Sequence, residues 1–246
     1  MGSRYYKHDG VDKPSVTTIC GLLDKPALMY WAVNCCADYI LDYVKLITNP
    51  ELPDNPSGTL IRVEDLYPII ESSRKNFRNV SKKAMDIGSR VHDAIEQYLN
   101  TGREPFKPGD EVEAGFLSFL EWQDKHHFKS IATEQTIYGD RFAGTCDLIC
   151  ELDGKQYLID FKTTNVAEDS PAYPEHRYQV SAYRSCVPNV EGCGILYLHK
   201  TTGYPNWRDS SSTYESDLKV FNILVDLWYA THPNVSKRIV RQQEAF

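Results

Sequence analysis

Two aspartates and a lysine interrupt segments that are otherwise apolar: Asp147 lies in FAGTCDLICEL, and Asp160 and Lys162 lie in KQYLIDFK. Carboxylates held close together repel each other unless a cation or a proton lies between them. Hard oxygen ligands suit Mg²⁺ or Mn²⁺, and Mg²⁺ usually takes one or two carboxylates together with waters and phosphate oxygens. A neighbouring lysine could orient or deprotonate a water on such an ion, or stabilise charge on a phosphate. The three residues therefore indicate metal-dependent chemistry at a phosphate.

A hairpin must position these side chains. An Asp-Gly pair at 153–154 separates the two strand-like runs, and this is the strongest short signal for a two-residue hairpin turn. If the residues flanking the turn pair with each other, Asp147 lies opposite Asp160, with Cβ atoms about 4.5–5.5 Å apart. Lys162 then points to the same face as Asp160. A second interpretation stays open, in which the register is shifted by one residue and Lys162 forms a structural ion pair with Asp160.

Two helical segments carry further candidates. Gly88, His92 and Glu96 follow one another at four-residue steps, so that they share one face of a predicted helix. The glycine permits close backbone approach, and the histidine offers a ring nitrogen as a ligand. Gln179 and Tyr183 are also four apart, on a predicted helix that follows the hairpin. Taken singly, each of these residues is also typical of a solvated or packed helix surface.

The remaining periodicity describes an α/β protein with a helical N-terminal portion. A helix opened by Pro26 is predicted first, and the helical period then runs from about 63 to 99, either as one helix or as two meeting near residue 80. Further helices are predicted at about 110–127, 176–186 and 213–230. Strands are predicted in TEQTIYG, FAGTCDLICEL, KQYLIDFK and GCGILYLH.

Composition excludes several classes of protein. The 246 residues carry a formal net charge of −7, so any nucleic-acid site has to be a local basic patch. No apolar run approaches the roughly 18 residues that predict a membrane span, and the polar start is unlike a signal peptide. Seven cysteines without a CxxC pair are typical of reduced thiols in a cytosol. We therefore expect a cytoplasmic protein without membrane contact.

Taken in order along the chain, these motifs resemble the PD-(D/E)xK nuclease superfamily, specifically its RecB-like exonuclease branch. The opening PSVTTICGLLDKPALMYW is similar to the same segment of phage-encoded members and of mitochondrial genome maintenance exonuclease 1, and the resemblance covers roughly residues 14–200. The motifs are GxxxH from Gly88 to His92, G-T-x-D from Gly144 to Asp147, D-F-K from Asp160 to Lys162, and QxxxY from Gln179 to Tyr183. The resemblance implies a restriction-endonuclease-like core, with a central mixed β-sheet flanked by helices.

The resemblance also implies roles for individual residues. Asp147 and Asp160 would be metal ligands, together with His92 and the backbone carbonyl of Phe161. Lys162 would position the attacking water and stabilise the scissile phosphate, so that Asp147, Asp160 and Lys162 form the catalytic set. The metal implied is Mg²⁺ or Mn²⁺.

Four further residues have weaker assignments. By resemblance, Gln179 and Tyr183 bind the substrate or brace the site. Glu134 lies on the preceding strand, where related nucleases often carry a glutamate, but a carboxylate exposed at a strand edge explains it equally well. Glu96 is either a supporting residue behind the ligands or an ordinary charge on a helix surface.

The substrate implied is DNA, with single strands or DNA ends preferred. Arg74, Arg78 and Lys82 follow one another at four-residue steps ahead of the His92 helix, which suits neutralisation of phosphates, although a solvated helix face explains such a stripe equally well. The resulting hypothesis is a metal-dependent DNA exonuclease in phage replication, recombination or repair, in the host cytoplasm if phage-encoded. A structure-selective endonuclease on the same site and a non-catalytic DNA-binding or scaffold protein are the alternatives. Protein partners are not predicted.

The domain organisation expected is a single nuclease domain over residues 1–246. Within it, about 14–128 would form a mainly helical part carrying the His92 motif, about 130–200 the sheet core, and 213–231 a closing helix. Some relatives hold an iron–sulfur cluster with one early and three late cysteines. Only Cys186 and Cys193 follow the QxxxY motif here, so we expect no cluster.

Overall fold

The computed structural model describes residues 4–48, 63–165, 169–235 and 238–239. The contacts divide them into two compact units, one spanning Asp24–Ile87 and the other comprising the described residues up to Leu23 and from Gly88 onward. The expectation of a single nuclease domain stays a prediction. The strands are β1 Tyr5–His8, β2 Val11–Pro14, β3 Phe128–Tyr138, β4 Ala143–Leu152, β5 Lys155–Thr164, β6 Gly192–His199 and β7 Pro205–Asp209. The helices are α1 Val16–Cys20, α2 Pro26–Thr48, α3 Val63–Thr101, α4 Glu113–Asp124, α5 Pro174–Arg184 and α6 Tyr214–Thr231.

A five-stranded mixed sheet forms the centre of the larger unit. Its strand order is β3-β4-β5-β6-β7, in which β5 and β6 run parallel and the other neighbours run antiparallel. The parallel pair needs a crossover, and α5 lies in that connection. This architecture confirms the prediction of an α/β fold with a mixed sheet and flanking helices.

The β4–β5 hairpin forms as the sequence predicts. Asp153 and Gly154 both have positive φ, at 51° and 83°, as a type I′ turn requires. The pairing runs without a shift from Leu152–Lys155 to Leu148–Ile159, so the alternative of a register displaced by one residue is wrong. Asp147 and Asp160 come next on the two strands, beyond the last paired residues.

The core of this unit lies where α1, α5 and α6 pack on one another and on the sheet. Leu158, Ile195, Val180, Phe221 and Trp228 are fully buried there. α4 packs against β6 and β7, and its aromatic side chains contact those of the sheet; Phe119, for example, meets Phe161 with ring centroids 5.7 Å apart. α1, α4 and α5 have 5, 12 and 11 residues, lengths at which an isolated helix is marginal in water, so the packing of their buried faces stabilises them.

Four elements were not predicted, namely the strands β1, β2 and β7 and the short helix α1. A hairpin of β1 and β2 turns at Asp9 and Gly10, whose φ angles of 48° and 77° again fit a type I′ turn. The strand β7 lies at the edge of the sheet and begins at Pro205, a position where a missing amide donor does no harm.

The smaller unit consists of α2 and the first part of α3. α2 begins at Pro26 as predicted, whereas the alternative of two helices meeting near residue 80 is wrong, because α3 continues unbroken from Val63 to Thr101. Within the unit, Cys36 Sγ donates to the Ser73 carbonyl at 3.1 Å and Asn76 Nδ2 donates to the Cys35 carbonyl at 3.3 Å. No helix in the described ranges is long and apolar enough to cross a bilayer.

Candidate active site

A pocket of about 410 Å³ in the larger unit gathers most of the residues that the sequence singles out. Five carboxylates line it, together with an imidazole, an ammonium and a guanidinium. The charged and polar residues predicted for the site that line it are His92, Glu96, Glu134, Asp147, Asp160, Lys162, Gln179 and Tyr183. Residues from α3, β3, β4, β5 and α5, far apart in sequence, therefore meet in one place.

His92, Glu134 and Asp147 form the tightest group of potential metal ligands. One ligand atom from each lies within 4.8 Å of the others, and His92 Nδ1 is 3.5 Å from Asp147 Oδ1. The His92 ring meets the Phe161 ring edge to face at 5.7 Å, which fixes its orientation on the sheet. Burial alone would lower the pKa of His92, but the Asp147 carboxylate outweighs it and the pKa is raised. One imidazole nitrogen and two carboxylates are a donor set that can hold a divalent cation.

Glu134 reaches this group through an unusual backbone conformation. Its neighbours Thr133 and Gln135 pair with Leu148 and Cys146, so Glu134 stands opposite Asp147 across the β3–β4 ladder. Its φ of 46° lies in the left-handed region, which costs a residue with a side chain about 1–3 kcal/mol. Glu134 is exposed on the edge strand β3, yet desolvation by the atoms around its carboxyl, followed by the Asp147 charge, raises its pKa to about 7. A strained backbone and a carboxylate in an unfavourable field coincide here, as is common at functional sites.

Asp147 is held by the backbone of the neighbouring strand. Its Oδ2 accepts a hydrogen bond of 2.6 Å from the Phe161 amide, and its side chain is nearly buried. Burial opposes the charged carboxylate, but His92, Lys162 and the Phe161 amide together hold the pKa of Asp147 below its ordinary value. Asp147 is therefore ionised and fixed in place beside His92.

Asp160 has a different environment from that of Asp147. It is 1% exposed, its Oδ2 accepts from Lys162 Nζ, and its Oδ1 accepts from Gln179 Nε2 at 2.8 Å. The ion pair between Lys162 and Asp160 that the second interpretation of the sequence proposed is thus present, on the predicted register. Burial raises the pKa of Asp160 to about 6 against the opposing effect of Lys162. Burial would lower the pKa of Lys162, yet Asp160 and Asp147 raise it, so the amine is protonated.

Gln179 and Tyr183 complete this buried network. Gln179 Nε2 also donates to the Tyr183 hydroxyl at 3.1 Å. Both residues lie on α5, so this helix holds the Asp160 carboxylate through Gln179. Tyr183 packs directly on Gly144, where a Cβ atom would lie 2.5 Å from the ring. Similarly, a Cβ at Gly88 would lie 2.9 Å from Thr163 Oγ1. The glycines of the first two motifs are thus required by close approach.

The other predicted residues have separate environments. Glu96 lines the pocket and accepts a long hydrogen bond of 3.5 Å from Thr133 Oγ1. Arg74 and Arg78 belong to the smaller unit, where Arg74 pairs with Glu71 at 2.5 Å and Arg78 lies over the Phe77 ring. Lys82, in the same unit, is exposed. Their role in binding phosphates stays a prediction.

The buried cysteines offer no reactive thiolate. Burial raises the pKa of Cys146 and Cys150 to about 12 and that of Cys193 to about 11. Cys20 is likewise buried in the core, and Cys186 is partly buried. These thiols act as small apolar side chains.

Sequence reasoning missed one wall of the pocket. Four residues line it there: Arg4, which precedes β1, Tyr6 in β1, Ser15 at the N-cap of α1, and Thr17 in α1. The Asp-Gly pair at 9–10 is the same signal that predicted the second hairpin, and it would have indicated the first.

Comparison with known proteins gives little further information. No family model matches the chain, and no curated protein matches it. Among solved structures, the protein SSO0001 is similar at 14% identity over 64% of this chain and 67% of its own, with a TM-score of 0.33. The alkaline exonuclease LHK-Exo from Laribacter hongkongensis is similar at 12% identity over 68% of this chain and 87% of its own, with a TM-score of 0.31. At these values the likenesses carry no argument about function.

Proposed function

We propose that this chain is a metal-dependent nuclease that hydrolyses phosphodiester bonds in DNA. The observation that carries the proposal is the convergence of His92, Glu134 and Asp147 beside the buried Asp160–Lys162 pair in one open pocket. A pocket with this excess of carboxylates favours a divalent cation, and the protonated Lys162 offers a fixed positive charge to a phosphate.

The ligands proposed for the ion are His92, Glu134 and Asp147, with Asp160 and the backbone carbonyl of Phe161 as further donors. When bound, Mg²⁺ or Mn²⁺ supplies Lewis-acid activation of water and neutralises charge on the phosphate. His92 binds a cation only as the neutral imidazole, so the proton favoured by Asp147 must leave first.

The chain's own residues supply orientation and charge. Lys162 donates to Asp160 and is partly exposed toward the pocket, with 26% of its side chain accessible, so its other amine protons can reach a phosphate oxygen. Gln179 fixes the Asp160 carboxylate, and through it the Lys162 amine. Tyr183 supports Gln179 in turn. Gln179 and Tyr183 are therefore positioning residues in this proposal.

The finer form of the proposal is an exonuclease acting on single-stranded DNA or DNA ends. It is supported by the order of the four motifs, from GxxxH to QxxxY. The biological setting proposed with it is phage replication, recombination or repair. An endonuclease would use the same residues and differ in how the strand reaches them.

The test is digestion of single-stranded DNA labelled at either end, with a circular single strand beside it, in Mg²⁺ or Mn²⁺ and in EDTA. We expect release of one end label by the wild type and by Asp124→Asn, whose carboxylate is exposed and outside the pocket. Asp147→Asn and Lys162→Met should lose activity while remaining folded. Cleavage of the circle would indicate an endonuclease. An intact set of substrates with either metal would contradict the proposal.

A further inference from the structure

Arg4 lines the same pocket as the predicted motifs, although it belongs to none of them and lies near the start of the chain. Its backbone is fixed on both sides: the amide donates to Thr18 Oγ1 at 3.0 Å, and the carbonyl accepts from the Ser15 amide at 2.9 Å. Two hydrogen bonds to one short segment hold the start of the side chain at the pocket rim. The position of Arg4 is thus determined by the fold.

The guanidinium of Arg4 is also supported. Its Cζ lies 4.9 Å from the centre of the Tyr6 ring, a distance at which a cation and a ring attract each other. The Tyr6 hydroxyl in turn lies 3.1 Å from Thr145 Oγ1, on the strand that carries Asp147 two residues later. Arg4 therefore contacts Tyr6, and Tyr6 contacts β4, the strand that carries Asp147.

The Arg4 side chain is exposed, and the partner that the structure describes for it is the Tyr6 ring. Within the described ranges Arg4 forms no ion pair, although five carboxylates line the same pocket. Two of these carboxylates have partners of their own: Asp160 accepts from Lys162 and Gln179, and Asp147 accepts from the Phe161 amide. An exposed guanidinium fork at the rim of an acidic pocket is suited to a planar or tetrahedral oxyanion from outside.

We propose that Arg4 binds a phosphate of the substrate strand that neighbours the scissile one, and that Thr17, an exposed residue that lines the same pocket, is a further contact for the strand. This inference rests on the proposed nuclease function and adds to it a residue that binds a second phosphate of the substrate strand. Lys162 then serves the reacting phosphate, and Arg4 sets the position of the strand. Arg4 is accordingly a binding residue that affects substrate capture more than turnover.

The experiment separates binding from cleavage. A fluorescein-labelled single-stranded oligonucleotide with phosphorothioate linkages is titrated with the full chain in Mg²⁺ at several salt concentrations, and KM and kcat are measured on the unmodified strand. The variants are Arg4→Ala, Arg4→Lys and the matched control Arg103→Ala, an exposed arginine outside the pocket.

For Arg4→Ala we expect Kd and KM to rise about tenfold, kcat to change by less than about twofold, and the slope of log Kd against log salt to fall by about 0.7, the value for one single-strand phosphate. Arg4→Lys should keep the slope but bind less tightly, because an ammonium lacks the fork. Arg103→Ala should match the wild type. A purely structural role of Arg4 would change the melting temperature and leave the salt slope alone.

The inference is overturned if Arg4→Ala and Arg103→Ala share the wild-type Kd and salt slope. Failure of the proposed function has a different signature, in which the wild type binds the strand and cleaves nothing; the titration then still decides the role of Arg4. Absence of binding by the wild type would overturn both.

Discussion

Lys162→Met should destabilise the metal-free protein in a strongly pH-dependent way. The change removes the ammonium but keeps an apolar stem, and it leaves the buried Asp160 carboxylate with Gln179 as its remaining partner. Breaking a buried ion pair by removing one partner costs about 3–5 kcal/mol, because the other charge stays desolvated. We take the lower end, about 3 kcal/mol at pH 8, because the carboxyl can accept a proton instead.

The sign of the pH dependence follows from the folded pKa of Asp160. It stands at about 6, above the ordinary 3.8, and Lys162 is the group that lowers it most. Without Lys162 the folded pKa rises further. A group with a raised folded pKa loses stabilising free energy as the pH rises through that pKa. At pH 5 the carboxyl is largely protonated in both proteins, so we expect the difference to shrink to about 1 kcal/mol.

The assay is urea unfolding in EDTA at pH 5 and pH 8, followed by tryptophan fluorescence, to which Trp122 and Trp228, fully buried in the same unit as the site, contribute. Asp160→Asn is the matched variant, since it removes the charge and keeps a hydrogen bond to Gln179. The double variant with Lys162→Met should be more stable at pH 8 than Lys162→Met alone. Equal destabilisation by Lys162→Met at both pH values, or a double variant no better than the single one, would refute the reasoning.

Three further experiments test the proposed metal ligands and the packing of Tyr183 beside them. Mg²⁺ or Mn²⁺ at ten times its Kd should stabilise the wild type and Asp124→Asn by about 1.4 kcal/mol, or about 3–6 °C in Tm, and should not stabilise Asp147→Asn. Glu134→Gly should raise the free energy of unfolding in EDTA by about 1 kcal/mol, because the left-handed conformation is then unstrained, and should weaken the stabilisation by Mn²⁺; no gain in stability would contradict the strain. Gly144→Ala should cost about 1–3 kcal/mol in urea unfolding, because the new Cβ meets the Tyr183 ring, and a wild-type urea midpoint would show that the ring can move freely.

Local signals in the sequence predicted what depends on local chemistry. The Asp-Gly turn at 153–154 fixed the register of its hairpin, because its two positive φ angles favour one turn type. The strand β7 escaped notice because Pro205 argues against a strand everywhere except at an edge, and edge position depends on the whole sheet. The continuity of α3 through residue 80 could not be read from a period that fits one helix or two.

The sequence predicted which residues form the site more fully than it predicted which of them lie next to each other. The sequence placed Asp147 beside Asp160, since strand alternation and turn length determine that relation. It did not predict that Glu134, rather than Asp160, groups with His92, because the distance between these two side chains depends on how segments far apart in sequence pack together. Nor did it predict Arg4, whose position depends on a hairpin and a short helix that meet the sheet from the start of the chain.

The two-residue turn between β4 and β5 also restricts how this protein can change during evolution. Inserting one cross-strand pair lengthens the hairpin by two residues and leaves Asp147 and Asp160 facing each other. Inserting a single residue moves one carboxylate to the opposite face of the sheet unless the turn changes type to absorb it. Homologous chains that keep the activity should therefore differ in the interval between these aspartates mainly by even numbers of residues, which is a pattern that can be sought among distant sequences.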